Sequence, residues 1–292
     1  MTHVIRRHPL ASFFTLAIAG SWLAWLPYAL SQNGLGVWGF SFPALMGSTQ
    51  LAGVLPGAYL GPIASAFVVT LIADGWPGVR QWRARLWRWR VSWRWYAVAL
   101  LGAPLGLIVI GTAFSGGQVQ APSTLALAAY LPALLLQMVT TGLAEEPGWR
   151  DFALPRLQRR HSPLRASLLL GVVWGIWHLP LFLTEWGGWP AVSLLRVACF
   201  LGFCVAFSVV MTWLFNSTGE SLPLAVIAHV SVNNFASIIW GDMFPTLNAD
   251  VTMLAMFVAA ALAGALLVVF TRGRLGRRMP AAEPALQVAV AA

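Results

Sequence analysis

Eight stretches of the chain, at roughly 11–30, 51–73, 96–114, 124–144, 164–184, 191–215, 221–240 and 250–270, are apolar over a length that can cross a bilayer. About 20 residues at 1.5 Å per residue cover the roughly 30 Å hydrocarbon layer. Inside that layer each backbone amide must find its partner within its own segment, so runs of this length have to be helices. The expectation is therefore an all-α, polytopic membrane bundle of about eight transmembrane helices. The first stretch is long enough to span and is followed by no small-residue cleavage site, so it is expected to remain as a helix rather than to be removed as a signal peptide.

Charge placement orients the bundle. Only 9% of the 292 residues are charged, against 59% hydrophobic, and mean hydropathy is +0.74. The net charge of +9 comes from eighteen arginines against nine acids. Arg6 and Arg7 precede the first helix, Arg80 to Arg94 follow the second, Arg150 to Arg165 follow the fourth, and Arg272 to Arg278 follow the eighth. With both termini cytoplasmic, every arginine but Arg196 falls on the cytoplasmic side, as the positive-inside rule requires. This excess belongs to membrane topology, and no nucleic-acid partner is expected. The Arg- and Trp-rich segment Val79–Tyr96 has the make-up of an amphipathic piece lying among lipid headgroups. Cys199 and Cys204, five apart in one apolar segment, read as packing residues. Residues 1–278 are expected to form a single membrane domain, and 279–292, rich in Pro and Ala, a disordered tail. The expected location is a cell membrane, the bacterial inner membrane, with the lipid bilayer and a membrane-associated peptide or protein substrate as partners.

An ionisable group inside a span costs at least about 2.5–3.5 kcal/mol, so each is a functional candidate. Four stand out. Glu145 and Glu146 sit together at the end of the fourth apolar stretch, before Pro147. Proline disfavours helical geometry in the preceding residue, which predicts that this helix ends or kinks at the two carboxylates. Arg150, four residues after Glu146, is spaced to neutralise it, leaving Glu145 free as a general base. In the next span Trp174 and His178 are one turn apart on one face, the indole shielding that face while the imidazole points inward. In the seventh, His229 and Asn233 share a face in the same way.

Polar groups in lipid must find one another, so three helices bringing them inward predict one shared pocket. A carboxylate that takes a proton from water, with imidazole and amide donors for a developing oxyanion, is equipment for amide hydrolysis without a covalent intermediate. Two histidines and Glu145 could instead ligate zinc, although HExxH is absent and the histidines lie on different helices. Two further readings use the same residues, a non-enzymatic membrane immunity or partner protein held together by them, and a transporter relaying protons through them.

The segments EEPGWRDFALPRL at 145–157, WGIWH at 174–178 and HVSVN at 229–233 resemble the three motifs of the CAAX protease and bacteriocin-processing family, which includes type II prenyl endopeptidases and abortive-infection proteins. The likeness is strong over about 140–240. It implies an intramembrane endopeptidase acting near the cytoplasmic membrane face, in which Glu145 activates water with His178 while His229 and Asn233 form the oxyanion site. Glu146 belongs to the catalytic motif, with Arg150 and Trp174 in support. Family members are often described as metalloproteases, but a glutamate-activated water suits these residues better, and no cofactor is required on that reading. One departure is Trp174, where prenyl proteases usually carry Phe.

Overall fold

A computed structural model describes residues 2–277. Among these residues all regular structure is helical, and eight helices are long and apolar enough to cross a membrane. They are α1 (Pro9–Leu30), α2 (Leu55–Trp87), α3 (Trp93–Phe114), α4 (Thr124–Gln158), α5 (Pro163–Leu183), α6 (Leu194–Ser217), α7 (Leu222–Met243) and α8 (Ala249–Thr271). The chain is an integral, multi-pass membrane protein. The expected tail, 279–292, lies outside the described residues.

Of the two expectations for the carboxylates, an end of the helix or a kink, α4 corrects the first. It does not end at the carboxylates but runs on to Gln158. Pro147 is absorbed by a change of winding, with α-helical Leu143–Glu146 lying between two π-helical stretches, Met138–Gly142 and Pro147–Ala153. A proline lacks the N–H that the α pattern needs, and a wider π turn lets the helix continue without it. The result carries Glu145, Glu146, Arg150 and Asp151 on one unbroken scaffold, all four of them buried.

The helix α7 is the centre of the bundle. Of its α-helical residues Leu222–Asn234, all but Asn233 are buried. An apolar helix without a polar face is what a fully enclosed position demands. Ser231 Oγ fixes it to α3 by donating to the Leu100 carbonyl at 2.7 Å.

The carboxylate turn is braced from the other side by aromatic rings. Trp149 meets Phe13 of α1 edge-on at 5.4 Å and Trp177 of α5 at 5.8 Å, and Trp177 in turn lies 4.7 Å from Trp25. The Trp177 indole N–H donates to Ser21 Oγ, and that hydroxyl donates to the Gly57 carbonyl, so α1, α2 and α5 are stitched together beneath the turn.

The Arg/Trp segment differs from a free lipid anchor. Gly75, at φ 68°, breaks α2, and the following turns fold back onto the protein. Trp82 donates to the Pro147 carbonyl at 3.0 Å, and Arg85 pairs with Asp151 at 2.6 Å and Glu220 at 2.8 Å. Trp76, Trp87 and Trp93 remain exposed. One face therefore supports α4, while the other keeps the composition suited to headgroups. The acids at span ends have protein partners, for instance Asp74 with Arg156 at 2.7 Å and Asp250 with Arg196 at 2.8 Å.

Helices in lipid associate through close packing at small residues rather than through burial from water. Gly148 is such a contact, because a Cβ there would lie 2.6 Å from Pro62 Cβ and 2.7 Å from its carbonyl oxygen. Gly148→Ala is expected to push α4 from α2 and destabilise the protein by about 1–3 kcal/mol, an overpacking penalty read as a lower melting temperature in detergent.

Candidate active site

Two neighbouring carboxylates on α4 have separate partners. Glu146 is fully buried and occupied on both oxygens. Oε2 accepts from Arg150 Nε at 3.2 Å, and Oε1 lies 2.7 Å from His229 Nδ1. A carboxylate ionised by its arginine can only accept, so His229 carries a proton on Nδ1 and turns Nε2 toward the rest of the site. Arg150 is also fully buried. It donates to Ser208 Oγ on α6 at 3.2 Å, and its guanidinium lies 5.6 Å from the Trp174 ring centre. A buried charge is tolerated only when matched and hydrogen-bonded, and this cluster matches one acid with one base.

Glu145 is held differently. Its Oε2 accepts from the Trp174 indole N–H at 2.7 Å. Among the described residues Oε1 accepts no hydrogen bond, yet it is not among the sealed polar atoms. Glu145 and His178 keep 5% and 6% of their surface, whereas Glu146 and Arg150 keep 0%. The first pair thus retains a little accessible surface, and the second pair retains none.

His178 owes its position to the end of a helix. The α-helical part of α5 stops at Trp177, and Pro180 lies within the tighter 3₁₀ turn Leu179–Leu183 that follows. Its Nδ1 lies 2.8 Å from the Trp174 carbonyl. A carbonyl only accepts, so Nδ1 bears the proton and Nε2 keeps its lone pair. The ring is caged by Trp177 at 4.5 Å, Phe200 at 4.9 Å and Trp186, stacked at 5.7 Å. Trp174 joins the two imidazoles, its ring lying 5.6 Å from His178 and 5.4 Å from His229. His229 is within charge–charge range of Glu145 as well as bonded to Glu146.

The structure therefore brings Glu145, Glu146, Arg150, Trp174, His178 and His229 into one cluster. Asn233 follows His229 by one turn. It is partly exposed, and its amide makes no hydrogen bond among the described residues. Its neighbour Asn234 is engaged in the frame, donating to the Tyr130 carbonyl and accepting from Gln137. Sequence spacing missed three things. The role of Trp174 as a donor was hidden behind its bulk, Ser208 on α6 carries no motif, and Asp151 looks like a loop acid although it is 1% exposed and braces the turn through Arg85. The free thiol of Cys204 is buried on α6, a packing position as expected.

Among the described residues no three His, Cys, Asp or Glu side chains are grouped so as to hold an ion. Both imidazole Nδ1 atoms are committed, one to a carbonyl and one to a carboxylate, which leaves each Nε2 for the site.

Comparison with known proteins bears on the same part of the chain. Residues 126–235 match a family model described as type II CAAX prenyl endopeptidase Rce1-like. Over 137 residues the chain is 29% identical to CAAX prenyl protease 2 of Methanococcus maripaludis, a match that covers 46% of this chain and 48% of that protein. The chain thus spans about half the length of the curated relative it matches. Residues 126–235, which carry all three motifs, are thus the part of the chain that is similar to CAAX prenyl endopeptidases.

Proposed function

We propose that the protein is an intramembrane endopeptidase that hydrolyses a membrane-associated peptide through water activated by Glu145. The observation that carries this reading is the unequal treatment of two adjacent carboxylates. Glu146 is saturated by Arg150 and His229, while Glu145 has one indole donor and an oxygen left over. A carboxylate kept as a bystander would be neutralised like its neighbour. One held in a single orientation with a free lone pair is placed to take a proton.

In the proposed reaction a water lies between Glu145 Oε1 and His178 Nε2, donating to both. Glu145 removes one proton as the water oxygen bonds to the scissile carbonyl carbon, and the carbonyl electron pair moves onto its oxygen. His229, when protonated on both nitrogens, donates from Nε2 to that oxyanion, and the Glu146 carboxylate at Nδ1 supports the cation. The Asn233 amide is the second donor. Collapse breaks the C–N bond, and the proton held by Glu145 leaves with the amine. Glu146 acts as a positioning residue, fixing the tautomer and angle of His229 much as a buried aspartate does in a serine protease. Trp174 positions Glu145 in turn, by a bond that the Phe more usual in prenyl proteases could not make.

The substrate class follows from the setting. Beside the cluster, the groove of about 330 Å³ between α3, α6, α7 and α8 is lined almost wholly by apolar residues, and Phe207 in its wall lies 6.4 Å from the Trp174 ring. A peptide carrying an apolar or lipidated flank suits such surroundings. The family match supports a CAAX-type target, and a peptide inventory of membranes holding active or inactive protein would name it.

Glu145→Gln is expected to lower cleavage by about 10²–10⁴-fold, the usual worth of a general base, with the protein still inserted and purifiable. His178→Ala and His229→Ala should reduce turnover similarly, and product formation by mass spectrometry checks all three. Full activity in the Glu145→Gln protein would refute the mechanism.

Trp174→Phe keeps a ring but removes the donor to a charged acceptor, worth about 1.5–3 kcal/mol, so kcat should fall roughly 10- to 100-fold with KM little changed. With water activated by Glu145 alone, turnover is expected to survive prolonged chelation, and its loss with restoration by added zinc would show otherwise.

A further inference from the structure

A second cavity, of about 660 Å³, lies on the other side of α4 from the site, between the start of α1, the folded-back end of α2 and the last turns of α4. Trp82, bonded to the Pro147 carbonyl, stands between it and the carboxylate turn. Its volume is that of a small-molecule site, in the range of about 300–1,000 Å³. Its walls are unlike those of the other grooves, because five arginines and two aspartates line it.

The two acids are already matched, Asp74 by Arg156 at 2.7 Å and Asp151 by Arg85 at 2.6 Å. Arg7, Arg159 and Arg160 remain in the wall, and among the described residues none of them pairs with an acid. The floor is apolar, formed by Leu10, Ala11 and Phe14 along a membrane-spanning helix.

We propose that this cavity binds the headgroup of an anionic phospholipid, with phosphate among Arg7, Arg159 and Arg160 and acyl chains running down α1 past Leu10 and Phe14. Guanidinium is suited to phosphate because it offers paired donors in one plane. Arginines at a span end stand at the depth of lipid phosphates. A soluble anion would gain from the arginines but leave the apolar floor uncovered, and for that reason the lipid is favoured. A bound lipid would rest on the Arg85–Asp151 pair that braces the catalytic turn, and so would stabilise the bundle without entering the site.

The test uses full-length protein purified in detergent and offered equal phosphatidylglycerol and phosphatidylcholine, with retained lipid counted by native mass spectrometry. Wild type is expected to hold phosphatidylglycerol selectively and to melt at a higher temperature with it. Retention should fall about fivefold for each pocket arginine removed, in the double variant Arg159→Gln/Arg160→Gln and further in the triple variant with Arg7→Gln. The double variant changes only two exposed side chains, so it leaves the fold intact. A control triple, Arg80→Gln/Arg83→Gln/Arg90→Gln, removes equal charge from exposed positions outside the cavity and should lose far less lipid than the pocket triple. Equal loss in the control and pocket variants would reduce the effect to general surface attraction and overturn the proposal. Displacement of the lipid by millimolar inorganic phosphate, or equal stabilisation by it, would assign the cavity to a soluble anion and overturn it as well.

Discussion

The contact on which the rest depends is the double engagement of Glu146, with Arg150 on one oxygen and His229 on the other. It joins two helices that are distant in sequence, α4 and α7, and it does so through charges that could not be buried singly. Removing one member of such a pair typically costs about 3–5 kcal/mol, because the other is left charged with no partner. In lipid, where apolar packing alone gives little orientation, this contact fixes the rotation of the two helices against each other. The consequences reach outward. His229 is oriented by Glu146, Arg150 is placed against Ser208 and the Trp174 ring, and Glu145 is left outside the neutralised cluster.

The winding of α4 makes that arrangement possible. Regular α-helix would have to break at Pro147, and the acids would then lie on a frayed end. The π turns keep the helix whole and close-packed, with Gly148 against Pro62, itself within the π-helical stretch Tyr59–Ile63 of α2. Irregular backbone is tolerated at membrane depth where protein covers it, and here α1, α2 and α5 supply the cover. The aromatic stack of Phe13, Trp149, Trp177 and Trp25 and the folded-back end of α2 brace this turn from opposite sides.

Much of this was legible in the sequence, for reasons that can be stated. The number and order of spans follow from length and apolarity, because the bilayer sets a minimum that short core helices do not meet. The pairing of Glu146 with Arg150 follows from a four-residue spacing, and the closeness of Trp174 to His178 from another. What sequence concealed depended on tertiary register. Whether Pro147 ends a helix or is absorbed depends on the neighbours that hold the π turn. That His229 would choose Glu146 cannot be read from spacing across 83 residues. Asn233 and Asn234 are adjacent and chemically identical, yet Asn234 is spent on Tyr130 and Gln137 while Asn233 keeps its amide free among the described residues. The Trp174 N–H was overlooked because a large ring in a membrane suggests bulk before hydrogen bonding. Arg85 and Asp151 reversed their expected surroundings, since a loop arginine and a loop acid became a largely buried pair.

The central claim is that Glu145 holds a water between itself and the lone pair of His178, with Glu146 committed elsewhere. A high-resolution experimental map of the protein in a lipid nanodisc measures this directly. The account predicts ordered water within hydrogen-bond distance of both Glu145 Oε1 and His178 Nε2, the Trp174 indole still on Glu145, and His229 on Glu146. A map in which Glu145 is turned from both imidazoles, or in which Arg150 neutralises Glu145 in place of Glu146, would contradict it.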